Sequence, residues 1–235
     1  MTSSELKHFS QRKLSGKYGV TIAVTLTVFV SNLLLSMIVQ WLVPPDSVAL
    51  FFAYTVVVFL VDLLFGLLVS GRTYLYMNIL YDREVSFADL KQGFLEHPEK
   101  AMFLQLPFAL AGSLATTPVE FYQIFYYNRQ QADRNMLFLC MLIGTAGIIV
   151  SVILELVFSQ VFYLLHDFPE KAVPDLFRAS AKLMRGHKGQ YFLLLLSYVP
   201  WLMLSAMLFF IPALFIISQM YAAQTAFYQN LTGRK

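Results

Sequence analysis

Four charged side chains interrupt long apolar runs of this sequence: Asp62, Arg72, Glu120 and Glu155. A charge in hydrocarbon costs roughly 2.5 to 3.5 kcal/mol on insertion scales, so each of them requires a partner or a water-filled cavity. Arg72 and Glu155 lie at similar depths in their runs, which predicts an ion pair between two helices. The alternative is that Arg72 reaches lipid phosphate while Glu155 accepts a hydrogen bond from a neighbouring helix.

The two remaining acids complete a predicted intramembrane polar site. Asp62 has no partner in its own run, and Arg72 is too far along the same helix for direct contact. One hypothesis makes Asp62 a proton or cation site. The other makes it a neutral acid that donates to a carbonyl freed by a proline kink. Glu120 follows Pro118 closely and is interpreted as a solvated residue near the outer surface.

Composition decides the class of protein that must position these charges. Hydrophobic residues make up 58% of the chain and charged residues only 13%. Several runs exceed the roughly 18 to 20 apolar residues that cross a bilayer. The sequence therefore predicts an all-α, polytopic membrane protein. The single cysteine, Cys140, excludes an internal disulfide and is interpreted as a packing residue.

The apolar runs predict six transmembrane helices. The last run is about twice as long as a bilayer requires, so it must hold two spans separated by a break near residues 209–212. Pro107 and Pro118 are expected to kink the third span. The small residues around Gly112 and Gly144 favour close helix contact in spans three and four. The predicted spans are residues 18–43, 48–81, 101–125, 136–165 and, for the last two, 191–231.

Three amphipathic surface helices are predicted beside the spans. They cover residues 1–16, 86–98 and 175–189, and the third is broken by Gly186 and Gly189. Ser86 is the expected N-cap of the second, with Asp89 as its capping-box partner, and Pro98 is expected to end it. One membrane domain, residues 1–235, is predicted. It contains either three parallel repeats (residues 1–82, 83–166 and 167–235) or helices alike only in composition.

Basic residues cluster in and beside these surface helices, whereas the opposite loops hold only Arg129 and Arg134. The positive-inside rule then places both termini and all three surface helices in the cytoplasm. Their partners are expected to be membrane lipids with anionic headgroups, and nucleic acid is not expected. The predicted headgroup contacts are Arg12, Lys13, Lys91, Arg178, Lys182 and Arg185.

Enzyme motifs are absent from the sequence, so no catalytic residue, metal site or cofactor is predicted. The histidines all fall near the cytoplasmic surface, and His166-Asp167 alone is too common a dipeptide to mark a site. Interfacial anchoring is the interpretation of most tyrosines near the span ends. These are Tyr74, Tyr76, Tyr81, Tyr122, Tyr126, Tyr127, Tyr163 and Tyr228.

Three segments carry a resemblance to a known family. They are Ser180 to Gly186 (SAKLMRG), the LSYVPW run ending at Trp201, and the closing Phe227-Tyr228. With the order of basic arm, spans and surface helices, nearly the whole chain resembles an uncharacterised family of bacterial membrane proteins, domain of unknown function 975. The join at residues 208–212 departs from the expected glycines. The resemblance implies a six-span fold in a bacterial plasma membrane and no established activity.

Two non-enzymatic functions remain. Kinked spans and buried charges favour the handling or transport of a lipid, a peptide or a small amphipathic molecule through a cavity between the spans. The alternative is a membrane-complex subunit, scaffold or immunity-type protein that binds a partner without transport. A polar cavity favours the first function, and a solidly packed bundle favours the second.

Overall fold

The computed structural model describes residues 2–129, 133–207 and 211–233, and within them the chain is helical without strands. A 3₁₀ turn (Phe87–Lys91) precedes α4, and a π-helical segment (Gln123–Tyr127) follows α5. The α-helices are α1 (Ser3–Leu14), α2 (Tyr18–Leu42), α3 (Val48–Leu80), α4 (Gln92–Leu95), α5 (Pro98–Tyr122), α6 (Arg134–Phe158), α7 (Val161–Asp167), α8 (Val173–Leu183), α9 (Lys188–Leu196), α10 (Val199–Met207) and α11 (Ile211–Thr232).

Four helical stretches are long and apolar enough to cross a membrane, which confirms the all-helical membrane class. Helices α9, α10 and α11 occupy the last apolar run, where six spans stay a prediction. Residues 209 and 210 of the predicted break lie outside the described residues, and residues 211 and 212 begin α11. The four stretches are Tyr18–Leu42, Val48–Leu80, Pro98–Tyr127 and Arg134–Asp167.

Pro98 acts differently from the prediction, whereas the kinks at Pro107 and Pro118 stay predictions. Pro98 does not end the middle surface helix, which stops at Leu95, but opens α5 instead. A proline in the first turn sacrifices no helical hydrogen bond, because the N–H groups there have no partner in any case. Helix α5 also continues through Pro107 and Pro118 before it widens into the π-helical segment.

The chain forms two compact units. Unit 1 takes its described residues from Met1–Val30, Leu67–Ala101 and Leu156–Lys235. It contains three short segments that precede long apolar runs, namely α1, the 3₁₀ turn with α4, and α8. It also contains the C-terminal end of α3 and the whole of α7. Unit 2 comprises Ser31–Gly66 and Met102–Glu155.

The three short segments of unit 1 share a local design. Thr2 caps α1 and Ser86 caps the 3₁₀ turn, and each forms a capping box with the acid three residues later. A leucine follows at once in each case, and α8 presents one at the corresponding place. These leucines, Leu6, Leu90 and Leu176, are buried.

Each short segment packs on another helical element of unit 1. Helix α1 contacts α11, and α8 contacts α7. Helix α4 lies against α3 so closely that a Cβ added to Gly93 would stand 1.9 Å from the Leu67 carbonyl oxygen. The first segment thus packs against the last helix, and the other two pack against the long helix that precedes them.

The first and third short segments end alike. Ser10 and Ser180 are fully buried, and Gly16 and Gly186 take left-handed φ angles of 79° and 86°. The predicted break at Gly189 is wrong, since this residue lies inside α9. The middle segment reaches a left-handed φ of 50° at His97, immediately before α5.

The helices that follow the short segments also share a burial pattern. In α2, α5 and α9 the fourth and seventh residues are at most 1% exposed. A spacing of three places both side chains on one helix face. The residues are Thr21 and Val24, Ala101 and Leu104, and Tyr191 and Leu194.

Unit 2 uses small residues for helix contact. A Cβ added to Gly147 of α6 would lie 2.4 Å from the backbone nitrogen of Ala115 in α5, and one added to Gly144 would lie 3.0 Å from the Ala115 carbonyl oxygen. The two backbones therefore approach as closely as the small residues of the sequence predict.

Candidate functional site

A polar cleft of about 480 Å³ lies within unit 1. It forms where α3 and α7 end, beside the turn that leads to α4. Its walls combine a cation, a carboxylate, an imidazole and an amide with aromatic and apolar groups. The lining residues are Tyr74, Met77, Asn78, Tyr81, Arg83, His166 and Asp167.

His166 is held rigidly on one wall, and its side chain is 4% exposed. Its Nε2 lies 2.9 Å from the Ser70 carbonyl oxygen and 3.2 Å from the Ser70 hydroxyl. Since a carbonyl oxygen only accepts, Nε2 carries a proton and donates to it. The ring also packs against Tyr74, with centroids 5.3 Å apart, and its Nδ1 lies 3.9 Å from the Glu96 carboxylate.

Asp167 is fixed by the neighbouring tyrosine of α11. The Tyr228 hydroxyl donates a hydrogen bond to the Asp167 carboxylate. The Tyr228 ring stacks on Tyr163, with centroids 4.9 Å apart and 17° between the planes. The Tyr163 hydroxyl lies 3.2 Å from the hydroxyl of Thr225. The cleft therefore abuts a tightly packed tyrosine junction.

The predicted interfacial role is wrong for three tyrosines of this region. Tyr76 is 1% exposed, Tyr163 is 7% exposed and Tyr228 is fully buried. Each directly follows a buried leucine or phenylalanine, in the pairs Leu75-Tyr76, Phe162-Tyr163 and Phe227-Tyr228. That recurring pair is the sequence signal for these buried tyrosines.

Arg83 reaches the cleft from the turn after α3. Asp82, with a left-handed φ of 56°, reverses the chain there. Arg83 Nη1 donates to Asn78 Oδ1 at a distance of 3.4 Å, and Asn78 Nδ2 donates to Asp89 Oδ2 at the same distance. Because Asp89 also accepts from the backbone N–H of Ser86 in the capping box, Arg83 belongs to a chain of polar groups that ends at the 3₁₀ turn.

The predicted intramembrane residues lie outside the lining of this cleft. Arg72 is half-buried in unit 1, and its guanidinium carbon lies 3.7 Å from the centre of the Tyr221 ring. This is a cation–π contact that the sequence did not indicate. Glu155 is half-buried in unit 2, and its ion pair with Arg72 stays a prediction.

The other two acids lie together in unit 2. Asp62 on α3 and Glu120 on α5 are both half-buried, and they lie close enough for their charges to interact. The proposed proton or cation role of Asp62 and the interfacial role of Glu120 stay predictions. Among residues 2–129, 133–207 and 211–233, no three His, Cys, Asp or Glu side chains form a group that could hold a metal ion.

The predicted headgroup residues are distributed over the three short segments. Lys13 forms an ion pair with Asp82, and Arg178 forms one with Asp175 at 3.0 Å. Arg12 lines a shallow groove on α1 with His8, Gln11 and Ser15. The exposed members of the set are Arg12, Lys91, Arg178, Lys182 and Arg185.

Comparison with known proteins places the chain in one family. A family model described as "Protein of unknown function (DUF975)" matches residues 1–235. No curated protein and no solved structure matches the chain.

Proposed function

The chain belongs to the DUF975 family of proteins of unknown function, and we propose that it is a non-enzymatic plasma-membrane protein of bacteria that binds the polar end of a membrane lipid. The binding site is the cleft between Arg83 and Asp167. Both termini face the cytoplasm, and the chain crosses the membrane six times.

The packing of unit 1 supports this topology. Helices α9 and α10 form the fifth span and α11 forms the sixth, so that each short segment precedes two spans. The contact of α1 with α11 joins the first and the last of the three predicted repeats within unit 1. The excess of lysine and arginine in and around the short segments supports their cytoplasmic side.

The position of the cleft is the observation that carries the lipid-binding function. Long apolar helices such as α3 end at a polar cavity that contains a fixed arginine. The end of a membrane-spanning helix lies at the depth of the lipid headgroups. A lipid can thus place its phosphate in the cleft while its acyl chains remain beside the apolar helices.

The tyrosine junction supports binding rather than passage across the membrane. Tyr163 and Tyr228 stack where α7 and α11 meet, and Tyr76 of α3 packs against Tyr221 of α11. Transport through this part of unit 1 would require these packed rings to separate. Lipid handling in one leaflet requires no such opening.

One surface supports the alternative function, which is a subunit or scaffold that docks a protein partner. In the middle short segment Phe87, Phe94 and Leu95 are 46%, 48% and 74% exposed. Apolar groups on a short helix can either enter the membrane surface or meet another protein. Lipid binding that is unaffected by changes in the cleft would favour this second function.

The test is the lipid that remains bound during purification. The full chain would be extracted in mild detergent, and its retained lipids would be measured by native mass spectrometry for wild type, Arg83→Gln and Arg129→Gln. Arg129 is the matched control because it also bonds to a carbonyl, that of Asp46, but lies in unit 2. A charged hydrogen bond contributes about 1.5 to 3 kcal/mol, so Arg83→Gln should reduce retention roughly tenfold or more. Equal retention by both variants would contradict the proposal.

A further inference from the structure

We infer that the cleft selects a headgroup in which a phosphate is joined to a primary ammonium. This inference rests on the lipid-binding function proposed above and specifies its ligand. It follows from the two opposite fixed charges on the cleft wall, Arg83 and Asp167.

Arg83 is suited to the phosphate. A guanidinium has five N–H donors in one plane and binds phosphate oxygens in pairs. One donor of Arg83 is used by Asn78, and within the part of the chain that the structure describes no carboxylate forms an ion pair with it. The Asn78 contact orients the group without neutralising it, so its charge is available to an anion.

Asp167 is suited to the ammonium. Its carboxylate is oriented by the Tyr228 hydroxyl and faces the same cavity as Arg83. A primary ammonium can donate up to three hydrogen bonds, and carboxylate oxygens are strong acceptors. The aromatic rings of Tyr74 and Tyr81 on the cleft wall provide further surfaces that attract a cation.

The same two charges discriminate against other headgroups. A phosphate without an amine brings only negative charge toward Asp167, which costs free energy by repulsion. A choline headgroup has the positive charge but no N–H group, so it cannot donate to the carboxylate. A headgroup that combines phosphate and primary ammonium meets both fixed charges with hydrogen bonds.

The experiment compares three lipids that have identical acyl chains. The full-length chain would be placed in nanodiscs that contain equal amounts of phosphatidylethanolamine, phosphatidylcholine and phosphatidylglycerol, and the bound lipid would be counted by native mass spectrometry. We expect phosphatidylethanolamine to be enriched roughly tenfold over each of the others, as one charge-assisted hydrogen bond predicts. Asp167→Asn should remove the enrichment over phosphatidylcholine, whereas the control Asp175→Asn, an exposed acid of α8, should retain it.

The outcomes distinguish failure of the headgroup selectivity from failure of the lipid-binding function on which it rests. If Arg83→Gln lowers binding of all three lipids but wild type shows no preference for the ammonium, the cleft binds lipid and the selectivity is wrong. If Arg83→Gln changes nothing, the lipid function fails as well. The wild-type comparison requires no variant to fold. Soluble phosphoethanolamine should compete weakly, and full displacement of the lipid by it would show that the ligand is a soluble molecule.

Discussion

Units 1 and 2 achieve helix contact in different ways. Unit 1 buries large side chains completely, such as Tyr191 and Phe227, and joins elements through polar groups. Both units bring backbones together at glycine, at Gly93 in unit 1 and at Gly147 in unit 2. Unit 2 leaves Phe52 63% and Phe138 70% exposed, and of the twelve largest fully buried side chains among the described residues only Phe51 and Leu104 lie in it. The first pattern is that of a side-chain core. The second suits lipid, where apolar exposure costs little and close approach provides most of the attraction between helices.

Glycine substitutions should give the largest effects and show whether both units depend on backbone contact. In Gly93→Ala the new methyl group would overlap the backbone of α3, and in Gly147→Ala it would overlap α5. Overpacking costs about 1 to 3 kcal/mol and sometimes more, and here the obstacle is backbone rather than a movable side chain. Both variants should lose folded protein, measured as the monodisperse fraction in detergent after mild heating.

Open glycines provide the controls for those two variants. A Cβ added to Gly19 or Gly112 would have no atom within 4 Å. Gly19→Ala and Gly112→Ala should therefore match wild type or exceed it slightly, since alanine favours helix. A loss in Gly112→Ala equal to that in Gly147→Ala would show that helix contact in unit 2 does not depend on the close approach.

Ser180→Ala should have the next largest effect, because it tests the polar contacts of unit 1. The helical hydrogen bonding is interrupted between α6 and α7, and Ser180 binds a backbone carbonyl and a backbone N–H at this break. Its hydroxyl donates to the Val157 carbonyl at 3.1 Å and accepts from the Gln160 N–H at 3.3 Å. Buried groups left unsatisfied cost about 1 to 3 kcal/mol, and the loss should appear in thermal unfolding.

Ser10→Ala is the matched comparison for Ser180→Ala. Ser10 is equally buried, but its hydroxyl donates only to Lys7 within its own helix. Its removal should cost under about 1 kcal/mol. Equal losses in the two variants would mean that the break between α6 and α7 does not need Ser180.

Substitutions at Arg72 and its possible partners should have an intermediate effect on stability, and they show which partner the Arg72 side chain uses. Its contact with the Tyr221 ring predicts that Tyr221→Leu costs about 0.5 to 2 kcal/mol, while Tyr221→Phe, which retains the ring, costs less. Double-mutant cycles of Arg72→Met with Tyr221→Leu and with Glu155→Gln would measure both couplings in folded yield. If the losses of folded yield in Arg72→Met and Glu155→Gln simply add in the double variant, the two side chains are not coupled and the ion-pair hypothesis is wrong.

The ion pair between Lys13 and Asp82 should give the smallest effect. The hydrogen bond from Lys13 lowers the pKa of the Asp82 carboxyl below its ordinary value. A lowered acid pKa stabilises the fold above the pKa of the unfolded chain, and this stability is lost as pH falls through the folded value. Wild type should exceed Asp82→Asn slightly in melting temperature near neutral pH, and the difference should shrink below about pH 4 and vanish below the lowered pKa of Asp82. A difference in melting temperature that persists at low pH would show that Asp82 stabilises the left-handed turn and not an ion pair.

Local signals made most of the fold predictable from sequence. Apolar length located the helices of the first two predicted spans to within a residue, and the Ser86 capping box was identified correctly. The break between α6 and α7 was missed, because its stabilising partner, Ser180, is distant in sequence and the apolar run continues through it. Proline position was misjudged at Pro98, since the same residue can end one helix and start the next.

The cleft was not predicted, and the reason is physical. Charges inside apolar runs are costly in lipid and therefore stand out in the sequence, and these are Asp62, Arg72, Glu120 and Glu155. Arg83 and Asp167 lie at helix ends, where a charge is inexpensive and therefore unremarkable in sequence. Only the meeting of α3 and α7 places them on one cavity.

The contact of α1 with α11 also constrains the order of biogenesis. The ribosome makes α1 long before α11, so Leu6 and Leu14, both fully buried in the finished protein, lack the cover of α11 during most of synthesis. Until the last helix arrives, part of the apolar face of α1 remains uncovered. A chain stopped before α11 would keep this apolar face available, and membrane proteases could use it to recognise an unfinished protein.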